Sequence, residues 1–315
     1  MITQKVPLYL VLWFKELLEN REFRIKIGLF LSEYEKISMG CPQGSSASPP
    51  LFSFYINDMP SLEQNIKSFT MKFADDLAAQ VRFRLSQKNQ AENHMNNFLR
   101  QLEFWLNLWR LEMAAHKCKY IIFSKKREKN LNMNLVLYDV VLEKDENPTF
   151  LGVTFDSQLT FKKHGENILK KMNKRLNLIK LVAYKKWKIS KLSLRTTYIS
   201  LVSSIFEYTA GIIKSFNSKV VEKLQVVQNN AIRVILGKSK LDKIRTEVLH
   251  EKIRLSSVEE RCKILRKKYL MRTCDFENPW ILKIWDESEG EMMSKDSPLG
   301  CEEIFMRNYK RLTYK

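Results

Sequence analysis

Two hydropathy periods divide this chain. Up to about residue 157, short runs of alternating apolar and polar residues are interleaved with helical stretches. Beyond Leu159 the three-and-four spacing of a helix continues almost to the end. An alternating run cannot bury its apolar face as a helix, and a three-four run cannot do so as a strand. The expectation is an α+β chain: a mixed front over 1–156, an all-helical basic segment over 157–273, and a tail over 274–315 whose weak periodicity reads as partly disordered. A hydrophobic content of 44% over 315 residues supplies one large or two modest cores, and excludes a wholly disordered protein.

Within the front, residues 6–20 read as a helix with Pro7 at its first turn. Phe23, Ile25 and Ile27 alternate with Arg24 and Lys26 as a half-buried strand, for which 34–39 is a candidate partner. Gly40 to Ala47 is a loop, and Ser48 before Pro49 reads as the cap of a helix running to about Asp58. Phe69, Met71 and Phe73 alternate on one face, two acids interrupt, and Leu77, Ala79 and Val81 resume: strand, tight turn, strand. Residues 87–113 carry an aromatic stripe at helical spacing, from Met95 and Phe98 through Trp105 to Met113, which reads as core. Lys119–Ser124 and Thr149–Phe155 read as short strands; 160–184, 190–213, 217–236 and 256–273 read as helices.

Charge follows the same division. Residues 1–116 hold 13 Lys/Arg against 12 Asp/Glu, a net of +1, whereas 117–315 hold 41 against 23, a net of +18. A neutral front and a basic back suit a packing or catalytic module joined to one that binds a polyanion; a soluble lysine-rich surface is the plainer alternative. The five cysteines (Cys41, Cys118, Cys262, Cys274, Cys301) form no CxxC pair and complete no zinc pattern with the four histidines. That scatter fits a reducing, intracellular setting, nucleus and cytoplasm being indistinguishable. The apolar run Leu8–Phe14 is too short to span a bilayer, so no membrane partner is expected.

Three clusters carry chemistry. Asp75-Asp76 sits at the expected strand turn. Adjacent carboxylates repel and favour a divalent counter-ion, although Asp is also an ordinary turn former. Gly40–Phe52 is a glycine-flanked loop feeding a helix; its N–H groups can face a nucleotide or template strand and Gln43 can bond a base or sugar edge. An ordinary loop and cap would look the same. Lys162–Arg195 holds 12 Lys/Arg against Glu166 alone, with Tyr184 and Trp187 interleaved. Cations neutralise phosphates and aromatics stack on bases, while Leu169, Met172, Leu176 and Ile179 make the opposite face an apolar stripe. An amphipathic helix with a solvated basic face is compatible with both readings.

In this order the clusters resemble the reverse transcriptases of non-LTR, jockey-type retrotransposons. Gly40–Pro60 resembles the family's PQG and SP segment before an apolar helix and IND tail; Phe73-Ala-Asp-Asp76 resembles its [YF]-A-D-D motif. His116–Ser124 resembles the following lysine motif, Phe150–Asp156 the primer-grip hairpin, and Leu201–Gly211 with Leu224–Gly237 the helical thumb and beyond. The resemblance covers nearly all of 5–272. It implies a partial right-hand palm followed by a helical thumb, and RNA-directed DNA polymerase chemistry with two Mg2+ ions. The implied partners are RNA template, DNA primer and deoxynucleoside triphosphates. It assigns metal ligation to Asp75 and Asp76, and places Lys117 near the leaving pyrophosphate as a proton donor. Gln43, Gly44 and Ser45 would lie against template and nucleotide, and Leu151 and Gly152 would support the primer end. The basic residues of the third cluster, Lys162, Lys163, Lys170, Lys171, Lys174, Arg175, Lys185 and Lys186, would track the nucleic-acid backbone.

The family carries a further metal-binding aspartate upstream of its PQG segment, whereas residues 1–57 contain no Asp. Relative to the family the chain therefore reads as N-terminally truncated, with weak or absent activity, or as an incomplete reading of a longer gene. Pro50 after the SP pair and Ala114-Ala115 before the motif lysine also depart from the family pattern. A non-catalytic nucleic-acid-binding remnant acting through the basic thumb is the alternative function.

Overall fold

The computed structural model describes residues 6–62, 68–124, 131–184, 188–213, 216–239 and 241–274. The expected tail, apart from Cys274, lies outside them, as do Lys185, Lys186 and Trp187. The protein is a mixture of helices and small antiparallel ladders, as the α+β reading expects; among the described residues no sheet has more than two strands. No helix among them is long and apolar enough to cross a membrane. The chain forms two compact units, residues 1–119 with 132–143, and residues 120–131 with 144–315.

In the first unit, α1 (Leu8–Leu18) leads to β1 (Arg21–Phe23), which pairs antiparallel with β4 (Glu35–Ile37). Between them β2 (Lys26–Ile27) and β3 (Phe30–Leu31) form a small hairpin. The single half-buried strand expected over 23–27 is corrected here: it breaks at residues 24–25, and Phe23, Ile25 and Ile27 are all exposed. Two strands, with nothing stacked on them among the described residues, cannot cover either face. Next come α2 (Ser48–Tyr55), β5 (Ser68–Phe73), β6 (Asp76–Val81) and α3 (Lys88–Leu108). The α3 stripe is core, as its spacing requires: Phe98, Leu99, Leu102, Trp105 and Leu106 are buried.

The chain crosses between units at β7 (Lys119–Tyr120) and again at β10 (Glu143–Lys144). Between the crossings, β8 (Val136–Leu137) and β9 (Val140–Val141) form a hairpin that docks on α3. Asn96 accepts from the Val136 N–H at 3.0 Å and donates to the Asn134 carbonyl at 2.8 Å, while Glu103 accepts from the Tyr138 N–H at 2.6 Å.

In the second unit, the hairpin β11 (Thr149–Phe150) and β12 (Val153–Thr154) precedes α4 (Lys162–Tyr184). It compacts with the helices although it lies before the change of period at 157, because Val153 and Phe155 pack against the helical core. Asp156 starts α4: its carboxylate accepts from the N–H groups of Gln158, Thr160 and Phe161 and from the Thr160 hydroxyl. Then α5 (Lys191–Tyr198) passes through a π-helical stretch, Ile199–Ser203, into α6 (Ser204–Glu207). The Arg175 guanidinium donates to the Leu201 carbonyl within that stretch at 2.9 Å. α7 (Ser218–Leu236), α8 (Thr246–Ile253) and α9 (Val258–Cys274) complete the unit.

Its core joins Ile168, Met172, Leu176 and Ile179 of α4 to Tyr198, Phe206, Leu224 and Ile232. The buried stripe thus begins at Ile168 instead of the expected Leu169, which is only half-buried. The Leu224–Gly237 motif is partly structural. Gln225, Gln228, Asn229 and His250 form a hydrogen-bonded network joining α7 to α8, and Gln228 reaches the Ser256 carbonyl.

Candidate functional site

The acid pair lies at the tip of the β5–β6 hairpin, as the alternation expects. Phe73 pairs with Asp76, so Ala74 and Asp75 are the two turn residues, and Ala74 takes a positive φ of 51°. Residues directly paired across a ladder share a face. Asp76 therefore stands beside Phe73, and Met71 beside Ala78. The opposite face is anchored: Lys72 Nζ donates to the Met59 carbonyl at 2.9 Å, and Thr70 Oγ1 accepts from the Leu62 N–H at 3.1 Å. Partial burial pulls the Lys72 ammonium below its usual range, against the opposing pull of Asp58.

The face carrying Asp76 is open: Phe73 is 63% exposed and Met71 48%. The apolar alternation that identified the hairpin is not a buried face, because no third strand or helix covers it among the described residues. Asp75 and Asp76 are exposed, and no ion pair among the described residues includes either. No group of three or more His, Cys, Asp or Glu able to hold a metal exists among those residues. The two carboxylates are part of a divalent-ion donor set and not a complete one.

The Gly40 loop is held by a residue that the sequence reading passed over. Arg21 donates to the Met39 carbonyl at 3.2 Å, to the Gly40 carbonyl at 2.6 Å and, through Nε, to Leu18 at the end of α1 at 3.0 Å. Gln43 and Gly44 are exposed and Ser45 is half-buried, its hydroxyl accepting from the Ala47 N–H at 3.3 Å. Ser48 is not the helix cap. Ala47 occupies that position, and the Ser48 hydroxyl donates back to the Pro42 carbonyl at 2.5 Å. The hydroxyl closes the loop instead, and Pro49 still falls in the first turn, where a missing N–H costs nothing. Lys117 is exposed in a 3-10 turn, Ala115–Lys117. Gln43, Lys117 and the acid pair belong to one unit, yet no hydrogen bond or ion pair links them among the described residues.

In the second unit, Leu151 and Gly152 form the β11–β12 turn, both with positive φ, 46° and 76°. That is the backbone of a tight hairpin, favoured by glycine at the second position. Tyr208 locks it by donating its hydroxyl to the Leu151 carbonyl at 2.7 Å. Behind the hairpin, His164 Nδ1 accepts from the Thr154 N–H at 3.2 Å. Lys162, Lys163, Lys170, Lys171, Lys174 and Arg175 are exposed on α4, opposite its buried stripe. Arg175 is already engaged with Leu201, so its charge serves the fold first. The residues the sequence reading missed, Arg21, Tyr208 and Asp156, act through backbone groups. Only Asp156 left a local signal, an acid just before a helix start.

Residues 3–155 match the family described as "Reverse transcriptase (RNA-dependent DNA polymerase)". The chain is 27% identical over 252 residues to the probable RNA-directed DNA polymerase from transposon X-element of Drosophila melanogaster, an alignment covering 78% of this chain and 26% of that protein. It is 26% identical over 260 residues to the corresponding protein of transposon BS of the same species, covering 81% and 28%. To the RNA-directed DNA polymerase from mobile element jockey, also of D. melanogaster, it is 25% identical over 282 residues, covering 84% and 29%. The chain thus spans between a quarter and three-tenths of the length of these relatives. No solved structure matches it.

Proposed function

Because residues 3–155 belong to the reverse transcriptase family, in the branch of jockey-type non-LTR retrotransposons, we propose that this chain is the palm and thumb portion of an RNA-directed DNA polymerase. The palm would run over 1–156 and the thumb over 157–273. The observation carrying this is the Asp75-Asp76 hairpin tip, two exposed carboxylates on a defined turn inside the family-matched segment.

Divalent ions, magnesium in this reading, neutralise charge on a transferring phosphoryl group. Asp75 and Asp76 would supply part of their ligands. The Gly40 loop, braced by Arg21, would present Gln43, Gly44 and Ser45 to the template and the incoming nucleotide. Lys117, exposed on its own turn, would donate a proton to the departing pyrophosphate. Leu151 and Gly152, held by Tyr208, would support the primer end. Lys162, Lys163, Lys170, Lys171 and Lys174 would follow the duplex backbone as a basic ridge, while Arg175 braces the ridge from its end.

RNA-templated primer extension with magnesium tests the reading. Any synthesis that the chain supports should vanish in Asp75→Ala; synthesis undiminished in that variant would refute the assignment. Binding of a primer–template hybrid, measured in the same preparation, should fall steeply as salt rises, and a flat titration would remove the basic ridge from the proposal.

A further inference from the structure

The second unit contains a cavity of about 310 Å³ between the β11–β12 hairpin and α4. Its polar lining is Thr149, Thr154, His164, Asn167, Lys170 and Lys171. No carboxylate is among them. A larger cavity of the same unit, about 560 Å³, mixes its lysines with Asp145, Glu146, Asp156 and Glu166, and selects for no charge.

The smaller cavity has a built donor. His164 is 4% exposed. Its Nδ1 is committed as acceptor to the Thr154 N–H, so the neutral ring carries its proton on Nε2. Burial first, and the neighbouring Lys171 second, hold its pKa below the usual histidine range, which keeps the ring neutral near pH 7. The Nε2 atom is buried without a hydrogen-bond partner among the described residues. A buried N–H left without an acceptor is unfavourable, and such groups are usually satisfied by a partner. The Thr149 and Thr154 hydroxyls share one hydrogen bond at 3.0 Å, which leaves one of their two protons free to donate. The cavity thus converges an imidazole N–H, a hydroxyl, an amide and two ammonium groups, with no acid to oppose an anion. Tetrahedral phosphate oxygens accept from such a set at several points at once.

We infer that this cavity is a phosphate site, in which His164 Nε2–H, the threonine pair and Lys171 hold either a phosphodiester of a nucleic-acid strand or a free phosphate. The strand source rests on the proposed function; the phosphate chemistry does not.

The test uses the full chain labelled with 15N-histidine, which has four histidines, and follows the imidazole resonances. Inorganic phosphate and a primer–template oligonucleotide are added in separate titrations. His164→Asn assigns the signal. Asparagine keeps an acceptor near the Nδ1 position for the Thr154 N–H and removes the Nε2 donor, so its unfolding curve should stay close to the wild type. Should it not fold, Thr149→Val and Lys171→Gln, both at exposed positions, replace it. The expected result is movement of the His164 Nε2 signal on adding oligonucleotide, several-fold weaker oligonucleotide binding in His164→Asn, and a salt slope lower by about one in Lys171→Gln. Movement with inorganic phosphate alone identifies a free-phosphate site. Movement with neither overturns the inference. Salt-dependent oligonucleotide binding with a silent His164 would leave the proposed function standing and remove this site. A responsive His164 without primer extension would do the reverse.

Discussion

Gly165 offers the sharpest test of how the second unit is packed, because two effects of known size oppose each other there. It lies in the first turn of α4, where alanine in place of glycine should favour the helix by roughly 1 kcal/mol. A Cβ at this position would, however, stand 2.7 Å from Val220 Cγ1, with Phe216 Cδ2 at 3.7 Å. Comfortable carbon–carbon contact begins near ~3.5 Å, so either α4 and α7 must part or Val220 must move. Val220 sits in the first turn of α7 and, being β-branched, has essentially one helical rotamer. Over-packing of this kind costs about 1–3 kcal/mol. Packing therefore outweighs propensity, and Gly165→Ala should lose about 1 kcal/mol net.

The assay is urea unfolding followed by far-UV circular dichroism, run as a cycle with Val220→Ala. Removing the two methyls relieves the clash, so the double variant should be more stable than the sum of the two single losses requires, by about 1–3 kcal/mol. A Gly165→Ala protein more stable than the wild type by the helix-propensity amount, with no coupling to Val220, would refute the close approach of α4 to α7. The basic face of α4 is presented by that packing, so the result bears on the nucleic-acid reading as well.

Asp156→Ala removes the acceptor of three N–H groups at the start of α4 and should cost about 1–2 kcal/mol in the same assay; a change within experimental error would show that the carboxylate is not the anchor. Burial opposes ionisation of Glu207, but its hydrogen bonds to Arg261 and Ser203 outweigh that and leave its pKa below the usual glutamate value. Its contribution to stability is then present above the unfolded pKa and lost as pH falls through the lower folded value. Glu207→Gln should accordingly flatten the acid limb of a stability–pH curve, and an unchanged limb would show that the pair contributes nothing. Cys262 is fully buried and burial pushes its thiol up to about 12. Peptide mapping after alkylation at pH 8 should find it unmodified until the protein unfolds, whereas labelling in the native state would contradict the core. Replacing Lys170 and Lys174 together by glutamine should lower the salt slope of oligonucleotide binding by about two without changing stability; an unaltered slope would place the strand elsewhere.

The hairpin that carries Asp75 and Asp76 was legible because two alternating runs flank two acids, and nothing but a tight turn accommodates that pattern. The same is true of α3, α4 and α7, whose stripes run for five turns or more. Shorter elements left no such trace. The β8–β9 strands are two residues each and turn through Tyr138-Asp139, without the glycine that usually marks a hairpin. The eight residues of α8 are too few for a period to stand out. Ser48 has the sequence of a cap, yet its hydroxyl is taken by Pro42 six residues back.

For the candidate site the division is similar. Motif and order located Gln43, the acid pair, Lys117 and the Leu151-Gly152 turn, since those depend on residue type along the chain. What covers each of them depends on residues far away in it. The side of the hairpin bearing Phe73 and Asp76 is open while the side bearing Lys72 is anchored, and no alternation of apolar and polar residues separates those outcomes. Periodicity says which side chains share a face; only the arrangement of distant segments says whether that face meets protein. His164 is the clearest case. In sequence it interrupts a run of lysines, whereas in the fold one ring nitrogen is fixed by Thr154, ten residues earlier, and that bond leaves the other as the donor lining an acid-free cavity.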